Sequence, residues 1–362
     1  MKRLFAGMTA ALLAVILVFS YPAQAISARS AIMIDSATGR VLYEKQATQK
    51  SLIASTTKIM TALLVCEQCN VLDRMQIPKE AVGVEGSSMY LREGEILTIQ
   101  ELLYGLMLQS GNDAAVALAI YCGGTVEGFV QMMNDKARNL GLIDTHYENP
   151  NGLDSENHYS TAADLASLAS YAMKNPIFSK IVSTQSVRVG ERYLRNHNKL
   201  LWQLEGADGV KTGYTRAAGR ILVSSASRNE RRLIVVTIAD PNDWQDHIVL
   251  MDSGFKQFHN RDIVSVGQVM GTVEVAGGDC DTVELIANGS FSYPLCGDEE
   301  IELRMPEPGF VYAPVVDGQS AGYARVYLDE QFIGSIPLNY GKTVERQTQE
   351  KVNLWERLLG GK

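Results

Sequence analysis

The chain has no excess of positive charge. Its 33 lysines and arginines are outnumbered by 41 aspartates and glutamates, a net charge of −8, which argues against electrostatic capture of nucleic acid as its main task. Beyond the N-terminus it lacks any apolar run long enough to span a bilayer. Histidine is scarce, at five residues. His146, His197, His247 and His259 share no metal-ligand spacing, so the sequence calls for no metal and no cofactor. Cysteine is equally scarce, at five. Cys66 and Cys69 form a C-x-x-C, but no second such pair or nearby histidine supports zinc. Nor does a strand lead into it as a thioredoxin-like motif requires. Structural or buried cysteines are the expectation. The odd count fits an oxidising compartment with one thiol left over, and Cys280 and Cys296 are candidates for pairing because they share a late segment.

What is present is a composition fit for a packed core, 46% hydrophobic and 20% charged. A length of 362 residues suggests two domains plus extras. Residues 1–25, MKRLFAGMTAALLAVILVFSYPAQA, read as a secretory signal peptide: Lys2 and Arg3, an apolar run from Leu12 to Phe19, then Ala23-Gln24-Ala25. An uncleaved anchor is the alternative. Either way the expected place of work is extracytoplasmic, secreted or at the outer face of the membrane.

The chain then opens with two strands around Ser36-Ala37-Thr38-Gly39. A helix begins near Ser55 and runs through Val65. Residues 83–95 read as loop. Thr98 and Glu101 form a capping box before LLYGLMLQ, and NDAAVALAIY follows as the next helix. STAADLASLASYAMKN is a helix stopped near Asn175-Pro176. From about 181 the pattern turns to strands, with GRILVSSAS and RRLIVVTIAD flanking a turn at Arg228-Asn229-Glu230. HIVLMDSGFKQF adds a closing helix. Strands at both ends of a helical stretch predict an α+β fold, an antiparallel sheet with clustered helices over residues 26–258. Residues 262–342, rich in Val, Gly, Tyr and Pro, read as a small all-β domain. In the tail, 343–362, Val352, Trp355, Leu358 and Leu359 share one helical face, which suits contact with a membrane surface.

Three short polar clusters fall in order: Ser55-Thr56-Thr57-Lys58 at a helix start, Ser110-Gly111-Asn112 between two helices, and Lys211-Thr212-Gly213 at a strand. A serine hydroxyl needs a base within hydrogen-bond reach to become a nucleophile. Residues three apart on a helix share a face, so Ser55 and Lys58 point into one cleft. Burial and the positive end of the helix both push Lys58 toward the neutral amine that a base must be. Each cluster alone is weak; together, in order and in fitting local structure, they are specific.

With IASTTKIMTALL, the SGNDAAVALA run, NPNGLDSENHYSTAADLA and GVKTGYTRAAGR, the chain resembles the low-molecular-mass penicillin-binding proteins, the serine D-alanyl-D-alanine carboxypeptidases. The resemblance covers most of residues 26–258 and implies a β-lactamase/transpeptidase-like fold. It also implies peptidoglycan stem peptides ending in D-Ala-D-Ala and β-lactam antibiotics as partners. By residue it implies Ser55 as nucleophile, Lys58 as base and Ser110 as proton relay. Asn112 would hold Lys58 and meet a substrate carbonyl, and Lys211 would supply a positive field. Thr212 would bind the terminal carboxylate, and Gly213 would leave room for a peptide along the strand. Tyr214 would give an oxyanion-hole N–H with that of Ser55. Arg216, placed on the same strand, is a further carboxylate candidate, and His158 a hydrogen-bonding residue beside the cleft. The family can carry a basic residue between the last strand and the closing helix, where this chain has acidic ADPNDWQDH. A D,D-endopeptidase, a class A β-lactamase-like hydrolase and a penicillin sensor without turnover remain as alternatives.

Overall fold

The computed structural model describes residues 26–306 and 309–347. The leader at 1–25 and the apolar face at 352–359 lie outside the described residues. Strands β1 (Ser30–Asp35) and β2 (Val41–Lys45) form a hairpin. Its turn is tied by Asp35 Oδ1, which accepts from Ala37 N and Thr38 N, and Gly39 closes it at φ +74°. A 3₁₀ turn, Ala54–Thr57, runs straight into α1 (Lys58–Gln68). The short strands β3 (Arg74–Gln76) and β4 (Ile96–Thr98) pair across the expected loop. Then come α2 (Ile99–Leu108), α3 (Asn112–Gly123), α4 (Val126–Asn139), α5 (Ala162–Ala172) and α6 (Pro176–Ser183). The capping box of α2 forms as read: Thr98 Oγ1 accepts from Glu101 N, and the Glu101 carboxylate accepts from Thr98 N. Pro176 does not simply end a helix. Asn175 caps the N–H groups of Ile177 and Phe178 and Pro176 is the first residue of α6, where its missing N–H costs nothing.

The hairpin β5 (Ser186–Val189) and β6 (Arg192–Arg195) and the short α7 (Leu200–Gln203) precede β7 (Ala207–Thr215), β8 (Gly219–Arg228), β9 (Arg231–Ile238) and α8 (Asp243–Gln257). Asn229 and Glu230, both at positive φ, make the two-residue β8–β9 turn. The main sheet is antiparallel, in the order β2-β1-β9-β8-β7. Alternation sorts its side chains to two faces. Ile32, Ile34, Ile221, Val223, Ile234 and Val236 face the helices α1 to α6, while Met33, Leu222, Leu233 and Val235 face α7 and α8. β7 is the edge strand, and the 3₁₀ turn packs against it.

The remaining strands are β10 (Phe258–Val264), β11 (Val269–Ala276), β12 (Thr282–Ala287), β13 (Phe291–Cys296), β14 (Ile301–Arg304), β15 (Phe310–Tyr312), β16 (Ser320–Leu328) and β17 (Gln331–Tyr340). They form a six-stranded sheet, β14-β16-β17-β12-β11-β15, and the pair β10-β13. Val344 and Arg346, read from sequence as the start of a tail, bridge to Val315 and Gly278 of this β unit. Arg40 joins the two units: its guanidinium forks onto Glu299 at 2.6 and 2.9 Å and lies over the rings of Phe258 and Tyr293. All five cysteines are free thiols, so Cys280 and Cys296 are not joined. Burial pushes the Cys66 thiol up to about 12.

His247 of α8 is fully buried against the sheet, with Nδ1 2.6 Å from Ser224 Oγ and Nε2 3.0 Å from Thr237 Oγ1. Burial pushes its pKa down to about 3. The unfolded chain binds that proton near pH 6.5, so the stability from this site is complete above 6.5 and is lost as pH falls toward 3. Denaturant titrations of the native protein and His247→Gln between pH 6 and 4 should differ in slope by up to about 1.4 kcal/mol per pH unit. Parallel curves would contradict this account.

Candidate active site

The first cluster is shaped by its threonines. Thr56 Oγ1 donates to Ile53 O and Thr57 Oγ1 to Ala54 O, which winds the segment into the 3₁₀ turn. Ala54 sits at φ +45°, a strained entry immediately before Ser55. Lys58, the first residue of α1, is completely buried. Its Nζ lies 2.9 Å from Ser55 Oγ, 2.6 Å from Asn112 Oδ1 and 2.6 Å from the backbone O of Asn151. Burial first, then the charge of Lys211, lower its pKa well below the usual lysine value, against a smaller opposing pull from Asp113. Two of the three neighbours are carbonyl oxygens that can only accept. A neutral amine has two N–H bonds and one lone pair. Both N–H bonds are spoken for by Asn112 and Asn151, so the lone pair is left for the proton of Ser55.

Asn112 is itself gripped. Its Nδ2 donates to Glu85 O at 2.6 Å and its N–H to Ser87 O at 2.7 Å. The strain of the Ser-Gly-Asn turn falls on Ser110, at φ +60°, and not on the glycine. Gly111 has φ −59° and is needed for space, because a Cβ there would stand 2.6 Å from Asp113 Oδ1. Asp113, buried in the first turn of α3, accepts from Ser88 Oγ, Met89 N and Leu91 N and so fixes the loop above the site. Ser110 lines the cavity beside Ser55 but is not a hydrogen-bond partner of Lys58.

The NPNGLD loop closes the other side. Pro150 O accepts from Thr61 Oγ1 and Asn151 O from Lys58. Gly152, at φ +88°, has no room for a Cβ, which would lie 1.9 Å from Ala54 O. His158 ties the loop to the 3₁₀ turn. Its Nδ1 accepts from Glu148 N and its Nε2 is 2.7 Å from Thr57 Oγ1. Burial pushes its pKa down to about 4, so it is a neutral hydrogen-bonding residue at neutral pH.

On β7, Lys211 is buried with Nζ donating to Thr212 O at 3.0 Å, and burial pushes its pKa down to about 7. Gly213 lies against the 3₁₀ turn: a Cβ would meet Ile53 O and Thr56 N at 3.3 Å. Its smallness therefore serves close packing of strand on turn. Thr212, Gly213 and the exposed Tyr214 share a cavity of about 320 Å³ with Ser55, Ser87 and Ser110. Arg216 is not on the strand; β7 ends at Thr215, whose hydroxyl donates to Asp154, and Arg216 stands exposed in the following turn. Instead the cavity holds His197, Lys199 and Arg220, which the three motifs did not point to. The acidic ADPNDWQDH offered one clue, since its Asp243 lines the cavity and binds Arg220. Among the described residues, no group of three or more His, Cys, Asp and Glu side chains is placed to hold a metal ion.

The chain matches the family model described as D-alanyl-D-alanine carboxypeptidase over residues 18–242 and that of the penicillin-binding protein 5 C-terminal domain over residues 258–346. D-alanyl-D-alanine carboxypeptidase DacF of Bacillus subtilis is 33% identical over 329 residues, 86% of this chain and 84% of its own length. DacC of Escherichia coli is 32% identical over 343 residues, 89% of this chain and 86% of its own. The structure of penicillin-binding protein 5 from Haemophilus influenzae superposes with a TM-score of 0.77 at 29% identity, covering 89% of this chain and 98% of that one. The chain belongs to the D-alanyl-D-alanine carboxypeptidase family of low-molecular-mass penicillin-binding proteins.

Gly152 offers a direct test of the site's packing. Gly152→Ala should lose at least about 2 kcal/mol of stability, because strain at positive φ adds to a clash with backbone. Gly141→Ala, also at positive φ but with nothing within 4 Å, should lose only about 1 kcal/mol. Equal losses in denaturant titration would show that the contact with Ala54 does not matter.

Proposed function

We propose that the chain is a serine D-Ala-D-Ala carboxypeptidase that trims the terminal D-alanine from peptidoglycan stem peptides and is acylated by β-lactams at Ser55. The observation that carries this reading is the environment of Lys58: a buried amine with two carbonyl acceptors and one serine hydroxyl around it. In the proposed sequence, Lys58 takes the Ser55 proton as Oγ attacks the penultimate D-Ala carbonyl. The oxyanion is received by the backbone N–H groups of Ser55 and Tyr214. The proton passes through the Ser110 hydroxyl to the nitrogen of the leaving D-alanine, and the C–N bond breaks. Water then attacks the acyl carbonyl and gives its proton to Lys58; the C–Oγ bond breaks, Lys58 returns the proton to Ser55 Oγ, and the shortened peptide leaves with a new carboxylate. Asn112 holds Lys58. Lys211, its pKa pushed down by burial to about 7, supplies a partial cationic background at neutral pH, and Thr212 meets the terminal carboxylate. Residues 26–257 form the catalytic unit and 258–346 a separate β unit. Peptidoglycan as substrate places the work outside the cytoplasm, in keeping with the leader-like N-terminus.

A β-lactamase with a dedicated deacylating carboxylate is disfavoured by the NPNGLD loop. It turns the Asn151 carbonyl to Lys58 and the Pro150 carbonyl to Thr61, and its neighbour Glu148 is exposed and engaged by Ser155 and Asn157. The purified protein should release D-alanine from diacetyl-Lys-D-Ala-D-Ala. Ser55→Ala and Lys58→Ala should each lower kcat/KM by at least about 10³-fold. Release that survives either substitution would overturn the assignment.

A further inference from the structure

Thr212 alone is a weak anchor for a carboxylate, because one neutral hydroxyl gives one uncharged hydrogen bond. The adjoining strand supplies a cation. In the β7–β8 pairing, Arg220 stands directly opposite Tyr214. Tyr214 is two residues from Thr212, so all three positions share one face of the sheet. The Arg220 guanidinium donates from Nη2 to both oxygens of Asp243 at 2.8 Å and from Nε to Oδ2 at 3.2 Å. Asp243 is buried, while the Arg220 side chain keeps 44% of its surface exposed. The carboxylate thus grips two of the three guanidinium nitrogens, and Nη1 has no hydrogen-bond partner among the described residues.

The Asp243 carboxylate is shared between Arg220 and its own helix. It sits in the first turn of α8, where its Oδ1 also accepts from the N–H of Trp244 and the helix terminus is positive. Arg220, Asp243 and Thr212 line the same cavity as Ser55. The arrangement is a rigid guanidinium fork with one edge held in protein and a free donor beside a substrate site.

We propose that Arg220 reads the free C-terminal carboxylate of the substrate, forming an ion pair with it beside Thr212, and that Asp243 is the positioning residue that aims the guanidinium. The inference rests on the carboxypeptidase reading, since it concerns how that substrate is held.

The test uses the full-length chain and compares diacetyl-Lys-D-Ala-D-Ala with the same tripeptide as its C-terminal amide. The native protein should prefer the free acid. Arg220→Gln should lower kcat/KM for the acid by about ten- to a hundred-fold, mainly through KM, and leave the amide within about three-fold. Arg220→Lys should recover part of the loss, and Asp243→Asn should raise KM for the acid with little change in kcat. Equal losses on acid and amide in Arg220→Gln, no loss at all, or a collapse of the preference in Lys199→Gln instead would overturn the proposal. If the native protein releases no D-alanine, the carboxypeptidase reading fails separately. Acylation of Ser55 by a penicillin and by its methyl ester then reads Arg220: selective slowing of the free acid in Arg220→Gln supports a carboxylate contact, and equal slowing or none overturns it.

Discussion

One amine buried without a carboxylate organises the catalytic half of this protein. Lys58 has no solvent contact, and each of its three hydrogen-bond neighbours is an uncharged oxygen. An ammonium ion placed there loses its hydration and gains dipoles and a smaller pull from Asp113 in return, and the nearby Lys211 adds repulsion. The neutral form escapes both costs. The fold therefore favours the unprotonated amine beside a hydroxyl far more than water does.

Keeping those oxygens in place accounts for most of the irregular backbone around the site. Asn112 is held by the carbonyls of Glu85 and Ser87, and the loop bearing them is held by Asp113. The Asn151 carbonyl reaches Lys58 because Gly152 lets its loop touch Ala54 and His158 pins that loop to Thr57. Positive φ values at Ala54 and Ser110, where glycine is absent, mark the strain of bringing these segments together. The rigid part is the five-stranded sheet with cores on both faces, which fixes β7 as a wall against which the 3₁₀ turn is seated.

Much of this was legible from residue patterns, and the omissions have physical reasons. Alternation and turn residues revealed the strands, and the Thr98–Glu101 box marked the start of α2. The helix stop before Pro176 was legible, but the start of α6 was not read: Asn175 is its cap and Pro176 its first residue. The grouping of Ser55, Lys58, Ser110 and Asn112 followed from helical spacing and motif order. The Asn151 oxygen could not, because it is backbone and carries no residue-type signal. Gly213 was read only as room for a peptide, and the structure adds a close contact with the 3₁₀ turn that residue type alone does not reveal. Arg220 escaped notice because its meaning depends on strand register, which sets it opposite Tyr214, and on Asp243 more than twenty residues later.

The charge state of Lys58 is the claim on which the account stands, and it is measurable without substrate. The protein would be labelled with lysine enriched in ¹³C at Cε and titrated by NMR, with the Lys58 signal assigned by its loss in Lys58→Arg and that of Lys211 by its loss in Lys211→Arg. The account predicts a Lys58 signal that titrates well below the ordinary lysine value of 10.5. A signal that titrates at or above 10.5 would mean that Lys58 rests as an ammonium ion and that Ser55 has no base beside it.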